Sequence, residues 1–219
     1  KNIQTLIDTF TLRGNIHPDN PIISVGVSNG GNFASIVSYV LDFDVSTMFS
    51  SQGNPLELYE ITTVPTIFCP AKYDPAIGGG NPGALLNYGI LMNRNIPSGF
   101  FELNKSPLYP QRFSRIDEIN ETLSNQLLIE LQNNNLIDES NYFSILDNVF
   151  IQLYQENPQN FPNFNSLPIY VRKHITDQLK VITADHSFFA DFNHTIIDFF
   201  KSIINPIGDI NNDGEITFN

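Results

Sequence analysis

The sequence predicts an α/β fold, a mostly parallel sheet with flanking helices and a helical insertion, and three observations predict it. Short apolar runs of strand length recur at 22–27, 45–50, 64–69 and 178–184, with a further candidate at 99–103. Helix-periodic stretches separate them. Between about 105 and 166 the strand signal stops and only amphipathic helical patterns continue. Strands buried on both faces read as nearly continuous apolar runs, and strands that alternate with helices build parallel sheets.

Taken in order, residues 2–13 carry Ile3, Leu6, Ile7 and Phe10 at helical spacing. Residues 14–21 hold Gly14, Pro18 and Pro21 and predict a turn region. The buried run Ile22-Ile23-Ser24-Val25-Gly26-Val27 follows, then Gly30-Gly31, then Phe33, Ile36, Val37, Val40 and Leu41 at helical period. Helices are expected again at 83–94 and 188–204. In the insertion, Leu123, Leu127, Leu128 and Leu131 mark one helix, and Phe143, Leu146, Val149, Phe150 and Leu153 mark another. It reads equally as a lid or substrate-recognition subdomain and as structural packing. After Pro206 the composition changes to Gly, Asn and Asp.

A chain of 219 residues is long enough to bury a sizeable core, roughly 70% or more of its unfolded surface. Acids outnumber bases 23 to 11, for a net charge of -12, which argues against nucleic acid or an anionic membrane as partner. No run approaches the ~18 apolar residues that a spanning helix requires. The chain opens without Met on a helical pattern and shows no signal peptide, so its natural start is expected upstream. Cys69 is the single cysteine and closes the apolar run Thr66-Ile67-Phe68, so it is expected to be a buried, inert thiol.

Gly26-Val27-Ser28-Asn29-Gly30-Gly31 places a serine between a strand and a helix in the pattern G-x-S-x-G. A serine on such a turn adopts a strained backbone, and glycines beside it avoid collisions with neighbouring backbone. The helix that follows aims its first N–H groups at developing negative charge, which makes the Asn29 N–H the expected oxyanion donor. Serine becomes a useful nucleophile only with a base in reach and an acid to orient that base.

His186 is the expected base, because it follows the strand candidate ending at Ala184 and catalytic groups of parallel sheets collect at carboxyl ends of strands. His17 lies in an Asn-His-Pro-Asp turn, His174 in a polar Lys-rich stretch and His194 within the last helical pattern. Asp74 is the expected acid, five residues beyond Cys69, although a turn aspartate before Pro75 is an equal reading of it taken alone. Asp185 competes, but as the immediate neighbour of His186 it is badly placed to reach that imidazole.

The order Ser28, Asp74, His186 resembles that of the α/β-hydrolase family over residues 1 to about 204. Ile16-His17-Pro18-Asp19 followed by Ser28-Asn29-Gly30-Gly31 is most similar to its secreted esterase branch, with polyhydroxybutyrate-depolymerase-like and feruloyl-esterase-like members. The resemblance implies a partial α/β-hydrolase fold, a carboxylic ester hydrolase with a Ser-His-Asp triad and no catalytic cofactor, and an extracellular location. The nearest alternatives are a serine peptidase of the same fold and a non-catalytic, calcium-dependent docking protein. Two departures stand out: the early loop that brings the second oxyanion donor is not in this chain, and Ala71 and Lys72 stand where the family often has glycine.

In the tail, Asp209, Asn211, Asp213 and Glu215 flank Gly214 in the spacing of a calcium loop, oxygen ligands at alternate positions around a glycine turn. Residues 206–219 thus resemble the start of a dockerin repeat, which implies calcium and a scaffold protein as partner. Ester groups linked to polysaccharides then join small-molecule esters as expected substrates, a step that rests on association alone.

Overall fold

The structure is a computed structural model, and it describes residues 2–14, 17, 20–77, 81–145, 147–188 and 193–203. The calcium-loop candidates Asp209, Asn211, Asp213 and Glu215 lie outside the described residues. The chain divides into two compact units, one drawn from Lys1–Pro70, Asn81–Phe101 and Phe189–Asn219, the other from Ala71–Gly80 and Glu102–Phe188.

The first unit is built on four parallel strands in the spatial order β1 (Ile23–Val27), β2 (Val45–Phe49), β3 (Thr66–Cys69) and β4 (Ser98–Phe100). Parallel neighbours need crossover connections, and α2 (Asn29–Leu41), α3 (Leu56–Ile61) and α4 (Pro82–Asn93) supply them. Sequential order with crossovers of one hand sends all three helices to the same face of the sheet. The register bears this out. Gly26, Met48, Phe68 and Phe100 align across the four strands, and Met48 and Phe68 share one apolar cluster with Tyr59 of α3 and with Ala84 and Leu91 of α4. Burying a side chain such as Phe68 contributes about 1.5–3 kcal/mol.

On the opposite face the aligned row is Val25, Thr47, Ile67 and Gly99. Gly99 lies against α9 (Asn193–Ile203), and a Cβ added there would come within 3.3 Å of Phe199. Ile67 is fully buried, but Val25 on the edge strand is 52% exposed. The expected cover on both faces therefore holds for the middle of the sheet and fails at β1. α2 has the same asymmetry: Gly31, Ser35 and Ser38 face the sheet, while Phe33 is 62% and Val40 74% exposed. α1 (Asn2–Leu12) buries none of its residues.

The second unit is helical, with α5 (Glu121–Asn133), α6 (Asp147–Glu156), α7 (Pro162–Ser166) and α8 (Ile169–Thr183) around one core. Phe150 is its centre, fully buried and edge-on to Phe143, Tyr154, Phe161 and Phe164 at centroid distances of 5.8, 5.4, 5.8 and 5.1 Å. Glu130 of α5 accepts the backbone N–H groups of Asn163 and Phe164 at 2.5 and 3.1 Å, filling first-turn donors of α7 that have no helical acceptor.

One expected strand is corrected here. Residues 178–184 are not a strand but the last turns of α8 and its cap. The buried residues of that helix include Val171, Ile175, Leu179 and Ile182, spaced by four, four and three, which is helical spacing. Reading only from Gln178 onward isolates Leu179, Val181 and Ile182 from the turns that give them their period. The helical unit accordingly continues past residue 166, through α8 to Phe188. No helix among the described residues is long and apolar enough to cross a membrane.

Candidate active site

Ser28 stands between β1 and α2 in the first unit with φ 57° and ψ -132°, a conformation that non-glycine residues rarely adopt. Its N–H donates to the Phe49 carbonyl at 2.9 Å, so the turn is tied to the carboxyl end of β2. Its carbonyl accepts the N–H groups of Gly31 and Asn32 at 2.9 and 3.2 Å and begins the helix. Asn29 is the first residue of α2, and first-turn N–H groups have no intrahelical acceptor.

The glycines divide unequally. A Cβ on Gly26 would land 2.6 Å from the Gly30 carbonyl carbon and 2.7 Å from Gly31 Cα. A Cβ on Gly31 would come 3.0 Å from the Gly26 oxygen. Around Gly30 no atom lies within 4 Å. The steric demand expected of the G-x-S-x-G pattern thus falls on Gly26 and on the additional Gly31, and Gly30 escapes it.

Asp74 and His186 belong to the second unit and are hydrogen-bonded, Asp74 Oδ2 to His186 Nδ1, at 2.6 Å across 112 positions of sequence. The carboxylate is fully buried and the histidine side chain is 29% exposed. A carboxylate only accepts, so Nδ1 carries the hydrogen and the neutral imidazole keeps a lone pair on Nε2. The other oxygen, Oδ1, accepts the Ala76 N–H at 2.9 Å and starts the 3-10 turn Pro75–Ile77. The two readings of Asp74, turn former and partner of the histidine, are carried by one oxygen each.

Loops hold this pair. Tyr73 N–H donates to the Ala184 carbonyl at 3.1 Å, Lys72 N–H to Leu103 at 3.0 Å and Ser106 N–H to Ile182 at 2.9 Å. These bonds stitch the Asp74 loop and the segment after β4 to the end of α8. His186 follows a helix that stops at Ala184 in the left-handed region, φ 54° and ψ 44°, not the strand that singled it out. Asp185 does not face the imidazole. Its N–H donates to Lys180 at 2.9 Å and its Oδ1 accepts the His186 N–H at 2.6 Å. It is nine-tenths buried and fixes the backbone that presents the ring. Sequence reasoning treated Asp185 only as a rival for Asp74; the signal for this role is an aspartate beside the histidine at a helix end, a place where Asp favours local backbone bonds.

The remaining histidines are apart from this pair: His17 is exposed in the loop after α1, His174 is exposed on α8 and His194 is exposed in the first turn of α9. Cys69 is fully buried on β3, and burial pushes its thiol up, away from the reactive thiolate. No protein-family model matches the chain, and neither the curated proteins nor the solved structures give a match to it.

Proposed function

We propose that the chain is part of an α/β-hydrolase-type serine esterase in which Ser28, His186 and Asp74 act together on carboxylic esters. The observation that carries the reading is the 2.6 Å bond between a buried carboxylate and a partly exposed imidazole, an arrangement that leaves Nε2 as a general base. The strained turn at Ser28 supports it, since backbone strain at a strand-to-helix junction is retained where it lifts a nucleophile.

In this reading His186 Nε2 takes the proton of Ser28 Oγ as the oxygen attacks the ester carbonyl. The tetrahedral oxyanion is met by the Asn29 N–H, the alcohol leaves with the proton from His186, and water activated by the same imidazole releases the acid. Calcium at Asp209, Asn211, Asp213 and Glu215, docking to a scaffold and an extracellular location belong to the same proposal and rest on the sequence alone.

The test is covalent labelling with a fluorophosphonate probe, together with hydrolysis of 4-nitrophenyl acetate and of a matched anilide. Labelling that disappears in Ser28→Ala and turnover of the ester alone are the expected results. Absence of labelling would sink the hydrolase reading, and preferential cleavage of the anilide would replace esterase by peptidase.

A further inference from the structure

Next to Asp74 the second unit gathers positive charge on an acidic chain. Tyr73 is 49% exposed, and two ammonium groups converge on its ring, Lys105 Nζ at 4.7 Å and Lys72 Nζ at 5.9 Å from the centroid. The chain has only 11 Lys and Arg against 23 Asp and Glu, so chance favours acidic neighbours for any lysine. Among the described residues neither of these lysines forms an ion pair with a carboxylate, whereas Lys173 pairs with Asp177 at 3.0 Å.

A structural role for the cluster is weak. An exposed cation over an aromatic face contributes about 0.5–1 kcal/mol, and a second cation at the same ring adds repulsion between like charges. What the cluster does supply is a local positive field beside an aromatic surface. Its position is fixed by backbone: Tyr73 directly precedes Asp74, and its N–H is bonded to Ala184, two residues before His186.

We propose that Lys72, Tyr73 and Lys105 form a subsite for a carboxylate-bearing sugar, a uronic acid unit whose ring lies on the phenol and whose acid group meets the ammonium groups. This rests on the esterase reading of the neighbouring Asp74–His186 pair and narrows its substrate class to esters on acidic saccharides. The negative charge elsewhere on the chain repels such a ligand, so the two lysines carry its attraction, and added salt weakens it.

The experiment is calorimetric titration of the intact chain with trigalacturonate and with the neutral galactose trimer, beside hydrolysis of 4-nitrophenyl acetate. The acidic trimer is expected to bind about ten-fold or more tightly than the neutral one, and the preference to vanish in Lys72→Gln/Lys105→Gln, with an unchanged melting temperature as the check on folding. Equal or undetectable binding of the two trimers, or a preference untouched by the double substitution, overturns the subsite. If acidic preference persists while the acetate ester is not turned over, the esterase reading fails and the carboxylate subsite stands.

Discussion

In the first unit Ser28 is positioned by main chain alone, with its N–H on Phe49, its carbonyl capped by Gly31 and Asn32, and bare glycine backbone at Gly26 against Gly30 and Gly31. In the second unit Asp74 and His186 are positioned by side chains, a carboxylate shared between Ala76 and the imidazole and a second carboxylate, Asp185, on the histidine backbone. Main-chain packing tolerates no added atom but is indifferent to charge. Side-chain bonding tolerates changes of shape but not the loss of an acceptor.

Asp74→Asn tests the charge-dependent half. It keeps the volume of a fully buried residue while removing the carboxylate that fixes the imidazole tautomer, so ester turnover is expected to fall about 10⁴-fold with circular dichroism unchanged. Phe150→Ala is the control for the unit that carries it. Loss of the ring at the centre of the aromatic cluster should cost about 3–5 kcal/mol in denaturant unfolding. Gly26→Ala tests the steric half and should cost about 3 kcal/mol, because the new methyl meets backbone that cannot step aside.

Smaller effects sharpen the contrast. Asp185→Ala should lower kcat about ten-fold with little change in KM, through a less constrained His186, and Asp185→Asn should restore most of it because an amide oxygen still accepts the N–H. Gly30→Ala should be harmless or stabilise by about 0.5–1 kcal/mol, since the residue is helical and has open space around it. A Gly30→Ala variant as damaged as Gly26→Ala would break the assignment of the steric demand.

The legible parts of the fold were those set by short-range pattern. β1 to β3, α2 and α4 follow from apolar runs and periodic stretches a few residues apart, and the turn at Ser28 lies where the glycines predict a junction. α8 was misread because its β-branched end, Val181, Ile182 and Thr183, has strand-like propensity, while the helix is decided by burial of Val171, Ile175 and Leu179 against the helical core. His186 was singled out through that strand, so the argument for it fails; what supports the residue now is its bond to Asp74. The distribution of steric demand between Gly30 and Gly31 was beyond the sequence too, because it depends on which glycine turns toward β1.

The apolar side chains left uncovered on α2 and β1 set the colloidal behaviour of the molecule. Phe33, Val40 and Val25 offer adhesive surface beside a strand edge, and a net charge of -12 opposes self-association only while it acts beyond contact distance. Screening shortens that reach to about 8–10 Å at physiological ionic strength, so turbidity should rise as salt is added, opposite to ordinary salting-in.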